Sequence, residues 1–129
     1  MTDTIILVAV SDVFFYTKLR DALKPQGYLL EKARTQIEVS EKAGALHPAA
    51  IILNINDDTL DAFTALEALK GDDRSKAIPI LAFANHEDID NWKRAQQLGV
   101  TKIVSRNEFS SRTLELVREV VSTGVSPTT

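Results

Sequence analysis

Apolar runs alternate with stretches of helical period along almost the whole chain. Ile5 to Val10 (IILVAV) has no polar interruption and is rich in β-branched residues, the pattern of a strand covered on both faces. Ser11-Asp12 stops it and offers an N-cap. From Val13 to Lys24, Phe15, Leu19 and Ala22 or Leu23 recur at helical spacing, with Val13 and Phe14 adding to the first turn. Pro25-Gln26-Gly27 breaks this helix, and Tyr28-Leu29-Leu30 opens a short second strand that turns polar at Glu31 and Lys32, as an edge strand does. Thr35 to Leu46 returns to helical period through Ile37, Ala43 and Leu46, with Gly44 weakening the last turn.

The stretch around which the chain is organised comes next. Ala50 to Ile55 is a third apolar run, set off by His47-Pro48 and stopped by Asn56-Asp57-Asp58-Thr59, a cluster suited to capping a helix. Asp58 to Lys70 carries Leu60, Phe63, Leu66 and Leu69 on one stripe and is closed by Gly71. After a charged loop, Asp72 to Lys76, the run Ile78 to Ala84 predicts a fourth strand with Pro79 tolerated at its start. Asn85 with Asp88 three residues on is a helix start signal, and Ile89, Trp92, Ala95 and Leu98 form the stripe that follows, ended by Gly99. Lys102 to Ser105 is a short fifth strand. A last helix, Ser110 to Ser122, buries Leu114, Val117 and Val120 or Val121, and residues 123–129 are expected to form a flexible tail.

Strands alternating with helices imply parallel βαβ units with right-handed crossovers. The predicted fold is a flavodoxin-like, three-layer α/β/α sandwich over residues 1–122, with a five-stranded parallel sheet of order 2-1-3-4-5. Its crevice lies above strands 1 and 3, and the residue ending the third strand there is Asn54. An amide stands where a carboxylate would have offered charge.

Composition narrows the classes. With 129 residues and 44% hydrophobic content, the chain has room for one core. No run reaches the roughly 18 apolar residues of a membrane span, and Asp3 takes the place of a basic leader region, so neither a span nor a secretion signal is expected. The absence of cysteine excludes disulfide and thiolate chemistry and fits a reducing cytoplasm. A net charge of −3 with both signs interspersed argues against a nucleic-acid partner.

Single candidates for chemistry are sparse. The turn Val10-Ser11-Asp12-Val13 lacks the glycines or the Ser/Thr/Gly-rich loop that a bound mononucleotide phosphate needs. Asn54 reads as a hydrogen-bonded structural amide. Asp12, Asp57 and Asp58 read as caps and solvated loop acids rather than as cation ligands. His86 sits in a cap-rich loop and His47 lies before the third strand, with no second histidine at metal spacing. Ser11 and Ser105 have no base near them in sequence and are not nucleophiles.

The spacing resembles the receiver domain of two-component response regulators from Ile5 to Val121. The likeness rests on Gln26-Gly27-Tyr28 before strand 2, on His47-Pro48-Ala49-Ala50-Ile51-Ile52-Leu53-Asn54, on Ile78-Pro79-Ile80, and on Gln97-Leu98-Gly99-Val100 before strand 5. Receivers use two acids after strand 1, an acceptor Asp ending strand 3, a Thr or Ser ending strand 4 and a Lys ending strand 5. Carried over, the acidic pair falls on Val10 and Ser11, or on Ser11 and Asp12 if the register slips by one. The acceptor position is Asn54, the hydroxyl position Ala84, the lysine position Arg106 (followed by Asn107 where the family has proline), and the aromatic switch position Ile103. Val10 cannot ligate Mg²⁺, Asn54 offers a neutral carbonyl at best, and an amide cannot form an aspartyl-phosphate.

The resemblance with these losses implies a pseudo-receiver: a non-enzymatic signalling module without cofactor or metal, working through a protein partner or a second copy of itself. The surface expected for that partner is the helix 4–strand 5–helix 5 face, with Trp92, Lys93, Gln96, Lys102, Arg106 and Arg112. Trp92 is either an interface anchor or a core residue on the Ile89/Ala95 stripe. With a short segment after the last helix, any output is expected to pass through a separate protein. Two alternatives stay open at this level: a receiver still phosphorylated on Asp57 or Asp12, and a domain whose crevice takes a small anion near Arg106.

Overall fold

The structure, a computed structural model, describes residues 4–123. β1 (Thr4–Ala9), β2 (Tyr28–Ala33), β3 (Ala50–Asn54), β4 (Ile80–Ala84) and β5 (Lys102–Ser105) form one parallel sheet of order β2-β1-β3-β4-β5, the order predicted from the alternation of elements. Between and after them run α1 (Val13–Leu23), α2 (Gln36–Leu46), α3 (Ala62–Gly71), α4 (Ile89–Gln97), α5 (Arg106–Ser111) and α6 (Thr113–Thr123), with a 3₁₀ turn at Lys24–Gln26.

The strand period of two sends alternate side chains into separate cores. Leu7, Ala9, Ile51, Leu53, Ile80 and Ala82 pack with Val39, Ala43, Leu66 and Ala95, so α2, α3 and α4 cover one face. Ile6, Val8, Ile52, Leu81 and Phe83 pack with Leu19, Phe109, Leu116 and Val120, so α1, α5 and α6 cover the other. Every residue of β3 and β4 is buried, which is why those segments read as unbroken apolar runs rather than as alternations.

Several boundaries and faces differ from the pattern-based expectation. α3 begins at Ala62 rather than Asp58, because Asp61 is the residue whose side chain accepts from Thr64 N–H (3.1 Å), and Gly71 lies inside the helix. The single helix expected over Ser110–Ser122 is two. Ser105 caps α5 by accepting from Glu108 N–H at 3.0 Å, and Arg112 (φ −129°) separates α5 from α6. Helix α6 extends through Thr123, the first residue of the expected tail; the rest of that segment, 124–129, lies outside the described residues. Ile37 (66% exposed) and Ile89 (61% exposed) face outward instead of lying on buried stripes, because Val39 and Ala43 supply the inner face of α2 and Ala95 that of α4. Asn85 does not cap α4; Asp88 occupies the N-cap position without a side-chain cap bond.

Gly44 faces Arg74: a Cβ there would lie 2.6 Å from the guanidinium carbon. Two effects compete in Gly44→Ala. Alanine gains roughly 0.8–1 kcal/mol of helix propensity over glycine. The displaced group is the end of a flexible side chain, 61% exposed and already paired with Asp72, and such surface contacts contribute about 0.5 kcal/mol. Gly44→Ala is therefore expected to stabilise the fold by roughly 0.5 kcal/mol, seen as a small rise in Tm. A fall in Tm would mean that the Arg74 contact outweighs the helix preference.

Candidate functional site

The carboxyl ends of β1, β3, β4 and β5 meet at the edge where open α/β sheets place their ligands. Asn54, 7% exposed, ends β3 and uses its Oδ1 to accept from Asn56 N–H at 3.0 Å, a local turn that fixes the amide. Val10 is fully buried in the core on the α1 side, and Ala84, 1% exposed, is buried against the α2–α3–α4 layer. Ile103 is half-buried against that same layer. Val10, Ser11, Asp12, Asn54, Ala84 and Arg106 end or follow the strands at this edge, while Ile103 lies within β5 opposite Ala82.

The acids of the neighbouring loops are engaged. Asp57 Oδ2 accepts from Ser11 N–H at 2.8 Å, while Oδ1 accepts from Thr59 N–H (3.0 Å) and Leu60 N–H (2.9 Å). One carboxylate thus caps the turn leading towards α3 and ties it to the loop after β1. Burial works to raise its pKa, but the N–H groups of Leu60, Ser11 and Thr59 outweigh that and hold it below the ordinary aspartate value. Asp12 Oδ1 caps α1 through Phe14 N–H (2.9 Å) and Phe15 N–H (3.1 Å), and its Oδ2 faces Arg106 Nη2 at 3.8 Å. Asp58 is exposed. Among the described residues no group of three or more His, Cys, Asp or Glu is placed to hold a metal ion. His86 and His47 are both exposed, His47 as the left-handed C-cap of α2 (φ 48°).

Arg106 is the cation of the site. Its guanidinium lies 4.8 Å from the ring centre of Phe15 and 5.8 Å from that of Phe83. Below it Phe15, Phe83 and Phe109 form a stack with centroid separations of 4.8 to 5.7 Å. The arginine therefore leans across the crevice towards α1 and away from α4. A small concavity of about 160 Å³ opens between α1 and the α5–α6 segment, lined by Phe15, Lys18, Phe109 and Thr113; neither Arg106 nor Asn54 is part of its wall.

The other residues of the expected partner surface sit at the β5 edge of the sheet. Lys93 and Gln96 are exposed on α4, Lys102 pairs with Glu119 of α6 (2.6 Å), and Arg112 pairs with Glu108 and Glu115. Trp92 is half-buried, packed on the α2–α3–α4 core, with Nε1–H donating to the Asn85 carbonyl at 2.9 Å. It serves as core and as hydrogen-bond donor together.

Sequence reasoning missed one organising residue, Asn56. Its Oδ1 accepts from Asn85 N–H at 2.7 Å and its Nδ2 donates to Asp88 Oδ2 at 2.9 Å, joining the end of β3 to the segment between β4 and α4. Nothing local marks it, since its partners lie 29 and 32 residues away.

In backbone shape the chain is similar to receiver and response-regulator domains. A signal receiver domain of a signal transduction histidine kinase from Syntrophus aciditrophicus matches with a TM-score of 0.83 at 21% identity, over 98% of this chain and 95% of that one. The receiver domain of a sensor histidine kinase from Pseudomonas aeruginosa PAO1, whose active-site cleft coordinates a magnesium ion, matches at 0.81 and 15% identity, over 93% and 98%. The response regulator domain of Thermotoga maritima CheB matches at 0.78 and 19% identity, over 97% and 99%. The sequence matches no family model and no curated protein. At such identities the likeness is one of fold.

Proposed function

We propose that this chain, built on the receiver fold, is a pseudo-receiver: a signalling module that acts by protein contact and without phosphoryl transfer. Asn54 carries the reading. The residue ending the central strand is a buried amide whose oxygen is already taken by Asn56 N–H, and an amide offers no carboxylate to form an acyl phosphate. Around it Ala84 brings no hydroxyl, and Arg106 is turned towards Asp12 and the Phe15 ring. Asp57 and Asp12, the carboxylates an alternative acceptor would need, are engaged by backbone N–H groups. On this reading the chain is not an enzyme, needs neither metal nor cofactor, and works in the cytoplasm on a protein partner, a second copy of itself included.

The partner surface we propose is the α4–β5–α6 face, with Lys93, Gln96, Lys102 and Arg112 at its surface and Trp92 fixed beneath it. Arg106 contributes to the crevice instead. The test is a ¹⁵N correlation spectrum titrated with Mg²⁺ and then with beryllofluoride or acetyl phosphate. The expected result is no saturable shift at Ser11, Asn54 or Asp57. Saturable shifts there, spreading to Ile103 and Trp92, would overturn the proposal in favour of a working phosphorylation switch.

A further inference from the structure

We infer that the Asn56 carboxamide is a built-in clasp that holds the β4–α4 segment and the first turn of α4 in one arrangement, with no ligand required to close it. Both ends of the amide are used, and both on the same segment: Oδ1 takes Asn85 N–H at 2.7 Å and Nδ2 reaches Asp88 Oδ2 at 2.9 Å. The two bonds have opposite polarity, so the planar amide defines an orientation as well as a distance. Asp88 Oδ2 also accepts from Asn91 Nδ2 at 2.6 Å, which carries the connection into α4. The Asn85 carbonyl accepts from Trp92 Nε1–H at 2.9 Å and from Asp88 N–H at 3.0 Å, which returns it to the start of the segment. A closed polar circuit therefore runs from the end of β3 through Asn56, Asn85, Asp88 and Asn91 to the indole of Trp92.

Asn85, His86 and Glu87 of the β4–α4 segment are exposed, so burial alone does little to define where this segment sits. Hydrogen bonds to an ionised carboxylate are among the stronger ones available at a surface, and Asp88 is held below the ordinary aspartate value by the Asn56 and Asn91 amides that donate to it. The consequence deepens the proposed function: the α4 side of the partner face stays in a single state whatever happens at Asn54. That consequence rests on the pseudo-receiver reading; the clasp itself does not, because it is defined by contacts within this chain.

The test uses the unliganded chain with no Mg²⁺, phosphoryl donor or partner, so its outcome is independent of the titration above. In Asn56→Ala the Asn85 N–H loses its acceptor directly and is uninformative. The informative probes are Trp92 Nε1–H and Asp88 N–H, which touch Asn56 only through the circuit. Both are expected to exchange with solvent roughly 10-fold faster or more, as removal of a paired polar group implies, while Ser11 N–H, held by Asp57, keeps its protection. Asn56→Asp is the second variant and decides the matter if the first fails to fold. It retains an acceptor for Asn85 N–H but sets a carboxylate against Asp88, so Asn85 stays protected while Trp92 Nε1–H loses protection. Unchanged Trp92 and Asp88 exchange in either folded variant would overturn the clasp.

Discussion

Phe83→Ala is expected to remove a large part of the stability of this fold, about 3–5 kcal/mol out of the roughly 5–15 kcal/mol that native domains hold. Phe83 is fully buried in β4, next to the chain edge that carries the site. Its ring lies 4.8 Å from Phe109 at an interplanar angle of 15° and 5.0 Å from Phe15 at 37°. One side chain thus joins α1, the sheet and α5. Truncation removes its apolar burial and opens a void that rigid neighbours on a central strand cannot fill by collapsing. It also removes two aromatic contacts, each of which adds about 0.5–1.5 kcal/mol beyond burial. The platform under Arg106 is thinned as well, although Phe15, the closer ring, remains. Phe83→Leu keeps most of the volume and is expected to cost only about 1.5 kcal/mol. Urea unfolding of the two variants measures both values. A loss within ~1 kcal/mol for Phe83→Ala would show that α5 closes over the void and that the stack does not anchor the fold.

Phe83 also marks how far the sequence could be read. It lies in an apolar run whose strand character was legible, as was that of Ala50–Asn54, because a strand buried on both faces needs apolar side chains at every position. Right-handed crossovers place helices on both faces, and the order β2-β1-β3-β4-β5 is the flavodoxin-like one expected for five such strands. The stack was not legible: Phe15, Phe83 and Phe109 belong to three different elements and meet only in the folded chain. At the site, residue identity alone shows that position 54 carries an amide and position 84 a methyl group, in any conformation. The contacts around them could not be read so. Asn56 and Asp57 read as members of a capping cluster, and Asp57 does cap Thr59 and Leu60. Its second oxygen bonds Ser11, 46 residues away, and no local pattern encodes such a pairing. The start of α5 is a different case. Ser105 followed by Glu108 carries the Ser-x-x-Glu spacing of a capped helix start, and the Ser105 side chain accepts from Glu108 N–H. That signal is present in the sequence, whereas the apolar stripe Leu114, Val117 and Val120 marks only the later of the two helices.

Asp57 sets the second large effect. Asp57→Ala is expected to destabilise the fold by roughly 2–3 kcal/mol, since it leaves three backbone N–H groups without their shared acceptor and removes a cap. Two of them, Thr59 and Leu60, belong to the turn after β3, and the third, Ser11, belongs to the loop after β1. Loss at the first pair frees the approach to α3; loss at the third uncouples the two loops that frame Asn54. Asp57→Asn separates the two contributions. Its remaining oxygen still caps one side, but its NH₂ group must then face a donor, so it is expected to lose about half as much. The pH dependence has a definite sign. The folded-state pKa of Asp57 lies below its unfolded value of about 3.9, so its ionised form contributes stability that is fully present above that value. The contribution falls away as pH drops through the unfolded pKa towards the lower folded one. The stability gap between the unaltered chain and Asp57→Ala should therefore be constant from about pH 5 upward and narrow below about pH 4. Unfolding free energies measured from pH 3 to pH 7 on both proteins test this. A gap that stayed constant down to pH 3 would mean that the charge of Asp57 contributes nothing and that its oxygens act only as neutral acceptors.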